Sequence, residues 1–188
     1  MRHLPLSAAL AVTLLAGAPV LHAQPPSAQT ASAATCPSTA TLDDLIKAID
    51  AAVSGPASQD RTCFRALFLP DARLIPIRIA PDGTATPRIL TVDDWISLVA
   101  KRGSAVLSEH QIKVKAETWD HMAHLWSTYE TRITPDGNPS NGKATEGQSM
   151  DRGINSIQAI FDGKQWHIIE ITWQAQTPAN PVPEKYLP

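Results

Sequence analysis

Two titratable side chains in stretches with strand-like alternation are the first candidates for acid–base chemistry. Glu170 has isoleucine on either side, within residues 166–173. If its carboxylate points into a core, burial raises its pKa toward the range that a general base requires. If it points outward, it is an ordinary exposed or paired carboxylate. His110 falls on the more apolar face of another alternating stretch, where an imidazole serves either as a proton shuttle or as a hydrogen-bonded core residue.

A ligand pocket is the second kind of site that the sequence indicates. Trp126 and Trp166 are placed to line a hydrophobic cavity, although aromatic residues in strands commonly belong to the core. Asn155 shares a face with Glu170 if the turn between their strands holds two or four residues. It lies on the opposite face if the turn holds three, because a slip of one residue inverts the side chains. We expect the shared face. The predicted pocket residues are Trp126, Asn155, Ile157, Trp166 and Ile168.

Motifs for other kinds of chemistry are missing from the sequence. It contains no nucleophile elbow, no phosphate-binding loop and no HExxH. His121 and His124 are three residues apart, but no carboxylate or cysteine accompanies them at metal-ligand spacing, so we predict no metal site and no cofactor. The formal net charge is −2 over 188 residues, which provides no basic surface for nucleic acid.

The N-terminal residues indicate export. Residues 1–23 have a basic start, an apolar stretch and small residues before Gln24, which is the three-part pattern of a cleaved signal peptide. No stop-transfer pattern follows, so we expect a periplasmic or secreted protein that is not inserted in a membrane after cleavage. Residues 24–40 have the composition of a flexible linker, 41–174 form the predicted domain, and 175–188 form a proline-rich, extended tail.

The sequence has two cysteines, Cys36 and Cys63. In an oxidising compartment an even pair favours a disulfide, which would tether the N-terminal segment to the second helix. If it is unstrained, such a bond stabilises a fold by about 3–4 kcal/mol. The alternative is two unrelated thiols, with Cys63 buried.

Periodicity and capping signals predict the element order αα-ββ-α-ββ-ββ. Thr41 and Thr91 are N-caps followed by acidic residues, and each precedes an apolar stripe at helical spacing. A further helix begins at Ser58 or Asp60 and stops at Pro70. The predicted strands are 73–79 (an edge strand, because of its central proline), 87–90, a stretch from 107, 123–133, and the two arms of 152–173.

The stretch from residue 107 alternates between an apolar and a charged face. We expect the apolar face to be inside and the charged face to be solvated. The apolar face comprises His110, Ile112, Val114, Ala116 and Thr118. The charged face comprises Glu109, Gln111, Lys113, Lys115 and Glu117. Both faces of residues 123–133 combine polar and apolar side chains, so the sequence does not show which face is inside. Residues 135–151 form a polar loop of the kind that closes over a pocket.

Residues 152–173 read RGINSIQAIFDGKQWHIIEITW, a hairpin around Asp162 and Gly163. Its segments 153–156 and 162–166, with FLPDARL at 68–74, resemble the nuclear transport factor 2-like superfamily, which includes ketosteroid isomerase-like and polyketide cyclase-like proteins. The resemblance implies an α+β fold, a cone of curved, mostly antiparallel sheet wrapped around three helices and enclosing a cavity. It also implies that Tyr129 could donate to an oxyanion, as a buried tyrosine does in isomerases of this fold. The aspartate that accompanies the tyrosine in ketosteroid isomerases has no counterpart here.

These observations lead to one functional expectation and one alternative. We expect an exported single-domain protein whose cavity binds a small, largely apolar molecule. It would form a homodimer through the outer sheet face, as many proteins of this fold do, because the residues His167, Ile169, Ile171 and Trp173 would need a cover. The alternative is a cofactor-free isomerase, dehydratase or cyclase with Glu170 or His110 as base and Tyr129 or Asn155 as donor.

Overall fold

A computed structural model describes residues 35–135 and 149–188. The predicted signal peptide, most of the predicted linker and residues 136–148 of the predicted loop lie outside these residues. No helix in the described part is long and apolar enough to span a membrane. In chain order the elements are α1 (Leu42–Val53), β1 (Gly55–Pro56), α2 (Thr62–Ala66), β2 (Phe68–Ile79), β3 (Ala85–Pro87), α3 (Val92–Ala100), β4 (Val106–Trp119), β5 (Met122–Thr134), β6 (Ser149–Phe161), β7 (Trp166–Ala175) and a 3-10 turn (Glu184–Tyr186).

The strands form one curved, open sheet in the order β1-β4-β5-β6-β7-β2-β3. Neighbouring strands are antiparallel except β2 and β7, which are parallel. The helices pack on one side of the sheet, and the core between them contains the fully buried Leu45, Leu74, Leu125, Ile157 and Ile168. The predicted α+β class and element order are therefore confirmed, with the two-residue strand β1 as an addition.

Local signals position the helices as the sequence predicts. The Thr41 side chain accepts a hydrogen bond from the amide of Asp44 at 3.1 Å and begins α1. Thr91 and Asp94 form a reciprocal capping box at the start of α3. Because α1 presents one apolar face at helical spacing, Leu45 and Ile49 on that face are buried against the sheet.

Two predictions about the first long strand are wrong. The second helix does not continue to Pro70, because Phe68 already pairs with Ile168 of β7 and the chain is extended from there. Pro76 does not mark an edge strand, because β2 lies between β7 and β3. Pro76 has no amide to donate to a neighbouring strand, and its carbonyl accepts a hydrogen bond from the amide of Arg88 at 3.0 Å.

Three register shifts interrupt the long strands of the described residues: one lies between Phe68 and Arg73 of β2, and the other two are single extra residues in β4 and β7. In β4, Gln111 pairs with Tyr129 and Lys113 with Thr128, so Ile112 is an extra residue. In β7, Ile168 pairs with Ala159 and Glu170 with Gln158, so Ile169 is an extra residue. An extra residue of this kind is a β-bulge, and every side chain beyond it changes face relative to a regular strand.

The Cys36–Cys63 disulfide is present, which confirms the predicted bond. It ties the segment before α1 to α2. The amide of Trp166 also donates to the carbonyl of Thr39 at 2.8 Å, so this segment is held at the sheet as well.

A buried arginine holds the turn that follows α1. Arg61 is 4% exposed, and its guanidinium donates to the carbonyls of Ala52 at 2.6 Å, Val53 at 2.9 Å and Pro56 at 3.1 Å. Cations at a helix C-terminus are favourable because the last carbonyls of a helix have no partners within it.

We expect Arg61→Met to lower the free energy of unfolding by about 3 kcal/mol, because several buried carbonyls lose their donor at once. Urea denaturation followed by circular dichroism measures this loss. Arg65→Met is the matched control. Its guanidinium pairs with Asp93 on the surface, so the loss there should stay below about 1 kcal/mol. Equal losses in the two variants would contradict the role given to Arg61.

Candidate functional site

A cavity of about 190 Å³ lies between the concave face of the sheet and the helices. Most of its wall is aliphatic or aromatic, with Phe64, Trp95 and Ile168 among the contributors. A smaller part of the wall is polar, and it comes mainly from β4, β5 and β6. The polar and charged lining residues are Arg102, Glu109, Tyr129, Thr131, Asp151 and Asn155.

The polar side chains on the concave face form one connected network. The carboxylate of Glu109 accepts from the hydroxyl of Thr131 at 2.8 Å and from the amide nitrogen of Gln111 at 3.0 Å. The amide oxygen of Gln111 accepts in turn from Ser127 at 2.5 Å and from Asn155 at 3.1 Å. Ser127 and Asn155 are almost fully buried. The network fixes the orientation of each member and leaves Glu109 and Asn155 at the cavity surface.

Glu109 carries the unusual electrostatics of this site. Burial raises the pKa of its carboxyl group to about 7, and the nearby carboxylate of Asp50 adds to the rise. The hydrogen bonds from Thr131 and Gln111 act in the opposite direction but are smaller effects. Glu109 can therefore accept or release a proton inside the cavity near neutral pH.

Tyr129 lies close to Glu109 on the neighbouring strand and is 5% exposed. Burial raises the pKa of its phenol, and the charges of Glu109 and Asp151 raise it further, so the hydroxyl stays protonated. Within the described residues this hydroxyl has no hydrogen-bond partner, so it can donate to a ligand. The glycine at position 153 makes room for it, since a Cβ there would lie 2.6 Å from the phenol oxygen.

Glu170, the candidate base in the last strand, lies outside the cavity. The turn between β6 and β7 holds four residues, yet the bulge at Ile169 places Glu170 opposite Gln158, whereas Asn155 lies opposite Trp173. The expectation that Asn155 and Glu170 share a face is therefore wrong. The Glu170 side chain is 28% exposed on the convex face and forms an ion pair with Arg73 at 2.5 Å.

The predicted faces of β4 are also wrong around His110. His110 is exposed and lies opposite Glu130, outside the cavity. Glu109 and Gln111, which we expected to be solvated, point into the cone, and the bulge at Ile112 inverts the pattern beyond them. One feature of the sequence does indicate this arrangement. Leu107, Glu109 and Gln111 are two residues apart and share a face of the strand, and an apolar residue such as Leu107 favours the buried face.

The five predicted pocket residues divide between two sides of the sheet. Asn155 and Ile168 line the cavity, and Ile157 and Trp166 are buried in the adjoining core. Trp126 lies on the convex face instead, with its ring 5.9 Å from that of Tyr186 in the C-terminal tail.

His121 and His124, the two histidines that are three residues apart, each contact another group of the protein. His121 Nδ1 lies 2.7 Å from the carbonyl of Phe161, and His124 Nε2 lies 3.1 Å from the hydroxyl of Ser156. Their separate hydrogen bonds hold the two rings against different residues of β6.

Comparison with known proteins shows the fold. No protein-family model matches the sequence. No curated protein matches it either. A structure from Exiguobacterium sibiricum, named for the calcium/calmodulin-dependent kinase II association domain, is similar at a TM-score of 0.52 and 12% identity, over 73% of this chain and 92% of that one.

Two further solved structures are similar. A protein of Novosphingobium aromaticivorans, named as the β subunit of an aromatic-ring-hydroxylating dioxygenase, aligns at a TM-score of 0.50 and 13% identity, over 74% of this chain and 89% of that one. An NTF2-like protein of unknown function from Prochlorococcus has a TM-score of 0.49 and 18% identity, over 74% of this chain and 97% of that one. The similarity to the structures from Exiguobacterium sibiricum and Novosphingobium aromaticivorans shows the fold alone: a curved, mostly antiparallel sheet wrapped around three helices, as the resemblance to the nuclear transport factor 2-like superfamily predicts.

The raised pKa of Glu109 makes stability depend on pH. Its carboxyl keeps a proton in the folded state up to about pH 7, whereas the unfolded chain releases it near 4.5, so the free energy of unfolding falls as pH rises between these values. We expect Glu109→Gln to match the native protein at low pH and to exceed its stability by on the order of 3 kcal/mol at about pH 8.

Denaturant titrations at a series of pH values measure this difference. The control is Glu117→Gln, which makes the same chemical change at an exposed position of the same strand. Above about pH 5 it should leave the change of the free energy of unfolding with pH as it is in the native protein, because Lys115 lowers the pKa of Glu117. A Glu109 variant whose stability parallels that of the native protein at every pH would show that the carboxyl is not buried as described.

Proposed function

We propose that the concave cavity binds a small, largely apolar molecule that carries a hydrogen-bond acceptor such as a carbonyl oxygen. The observation that carries this proposal is the composition of the wall. Apolar side chains from the helices and from β7 face a polar region in which the Tyr129 hydroxyl has no protein partner among the described residues. A mostly apolar cavity with a few convergent polar groups is the usual form of a small-molecule site.

The size of the cavity limits the ligand. Its volume of about 190 Å³ is below the range of about 300–1,000 Å³ that is usual for drug-sized ligands. A single ring with one oxygen substituent therefore suits the space better than a fused multi-ring compound. Its acceptor would lie near Tyr129 and Asn155, and its hydrocarbon part near Phe64 and Ile168.

Acid–base catalysis is a second candidate function, favoured by the pKa of Glu109. A carboxylate that is half ionised near pH 7 can remove a proton from a carbon next to a carbonyl group. The electron pair of the C–H bond forms a C=C bond, the π pair of the carbonyl moves to its oxygen, and the Tyr129 hydroxyl stabilises the resulting enolate by donating a hydrogen bond. Returning the proton to the same or a conjugated carbon completes an exchange or an isomerisation without a cofactor.

We propose further that the protein acts outside the cytoplasm, in the periplasm or as a secreted protein. The signal-peptide pattern in residues 1–23 supports this location. The Cys36–Cys63 disulfide supports it as well, because such bonds persist in oxidising compartments.

The homodimer stays a prediction, but its basis changes. Ile171 and Trp173 line the concave cavity, so they do not form the exposed apolar face that motivated the prediction. A dimer would have to use other residues of the convex face.

Titration of the ¹⁵N-labelled protein with cyclohexanone tests the binding proposal. We expect chemical-shift changes at the Asn155 side-chain amide and at the backbone of Tyr129. Methylcyclohexane, which lacks the oxygen, should bind about three- to tenfold more weakly, since one hydrogen bond is lost. Tyr129→Phe should remove this preference. An absence of shifts around the cavity up to the solubility limit of both compounds would reject the binding proposal.

Deuterium exchange at the α-carbons of cyclohexanone in D₂O, followed by ¹H NMR, tests the acid–base candidate. The rate should rise with pH through about 7 and fall about 100-fold in Glu109→Gln. Glu170→Gln is the matched control and should exchange as fast as the native protein, because Glu170 lies on the convex face. Binding without any protein-dependent exchange would leave the binding function and refute the catalytic one.

A further inference from the structure

A second and larger cavity lies on the convex side of the sheet, where the C-terminal tail folds back over it. Its volume is about 530 Å³. Strands β5, β6, β7 and β2 contribute Trp126, Ile154, Thr172 and Ile77, and the tail supplies the opposite wall with Val182 and Tyr186. This cavity is separated from the concave one by the sheet itself, since the side chains of adjacent residues alternate between the two faces.

The tail is attached to the sheet by specific contacts. The hydroxyl of Thr128 donates to the carbonyl of Tyr186 at 2.6 Å, and the ammonium of Lys113 donates to the carbonyl of Leu187 at 2.5 Å. Within the tail, the amide of Val182 donates to the side-chain oxygen of Gln176 at 3.2 Å. The tail therefore forms a defined wall.

The chemistry of this wall differs from that of the concave cavity. None of the described residues that line it is charged, whereas Glu109, Asp151 and Arg102 line the other cavity. Its surface is mainly aliphatic, aromatic and proline side chains. Thr172 and Gln174 add polar groups that have no hydrogen-bond partner among the described residues. An uncharged wall of this kind disfavours an ionic ligand, because a charged group buried against it would lose its hydration without gaining a partner.

The volume also suits a ligand of ordinary size, since sites for drug-sized molecules commonly measure about 300–1,000 Å³. Trp126 and Tyr186 provide aromatic surface with their rings 5.9 Å apart. The indole nitrogen of Trp126 is buried beneath the tail with no acceptor among the described residues.

We propose that the convex cavity is a second binding site, formed by the C-terminal tail, for an uncharged aromatic molecule with a hydrogen-bonding group. Thr172 and Gln174 form hydrogen bonds with that group, and Trp126, Ile154 and Val182 contact the aromatic rings. The proposal is independent of the function of the concave cavity, because the described residues that line both cavities include only Trp173 in common, and none of the polar residues named for either ligand is shared.

A matched pair of probes tests the site. N-Phenyl-1-naphthylamine is neutral, and 8-anilino-1-naphthalenesulfonate is the same skeleton with a sulfonate. We expect the neutral probe to bind with a rise in its fluorescence and the anionic probe to bind about tenfold more weakly or worse. In ¹⁵N spectra the neutral probe should shift the Trp126 indole signal and the backbone signals of Ser156 and Val182.

Variants of the tail complete the test. Val182→Glu should weaken binding of the neutral probe about tenfold. Val182→Gln introduces a side chain of the same shape as glutamate but without its charge, and it should retain most of the affinity for the neutral probe. Ile89→Glu is the control, because Ile89 is 67% exposed and outside the cavity, and it should change nothing.

Three results would overturn the proposal. Probe-induced shifts confined to Tyr129 and Asn155 would place the neutral probe in the concave cavity. Equal affinity of the Glu and Gln variants at position 182 would show that the tail does not form the site. Concentration-dependent shifts of Trp126 without probe would show that a second copy of the chain occupies this face.

Discussion

The extra residue in each of two strands determines which side chains meet inside the cone. At Ile169 the bulge turns Glu170 to the convex face and brings Ile171 and Trp173 to the concave one. At Ile112 the second bulge separates the inward-facing Glu109 and Gln111 from an opposite pattern further along β4. Bulges bend a strand and increase its twist, so they also help the sheet to curve around the helices. Curvature and the identity of the site residues therefore have the same structural origin.

Placing Glu109 inside the cone has an energetic consequence for the fold. Its ionised form is disfavoured by burial and by Asp50, and the hydrogen bonds from Thr131 and Gln111 offset only part of this. A protein that needed only a stable core would be better served by an apolar side chain there. The surrounding network, in which Gln111 is fixed by Ser127 and Asn155, instead holds the carboxyl at the cavity surface. A buried carboxyl group whose pKa is raised in this way is characteristic of functional sites.

The sheet separates two environments of different polarity. On the concave side, titratable groups line a small cavity that the helices border. On the convex side, an uncharged and larger cavity is bordered by the tail, which Thr128 and Lys113 hold in place. The alternation of side chains along β5 produces this separation, since Tyr129 points to one side and Trp126 and Thr128 to the other. A single strand thus contributes to both candidate sites.

The amino-acid sequence was enough to predict the helices with their caps at Thr41 and Thr91, the hairpin around Asp162 and Gly163, the disulfide, and the class of fold. The helices and the hairpin depend on local conformational preferences, which neighbouring residues specify, whereas the disulfide was expected from an even pair of cysteines in an oxidising compartment and the fold class from the order of the elements. The sequence also indicated Tyr129 and Asn155 as site residues. The sequence did not predict that Glu109, and not Glu170 or His110, faces the cavity. Period-two alternation assigns side chains to faces only as far as the next bulge. The position of a bulge depends on how the whole sheet curves around its helices, which no single strand encodes.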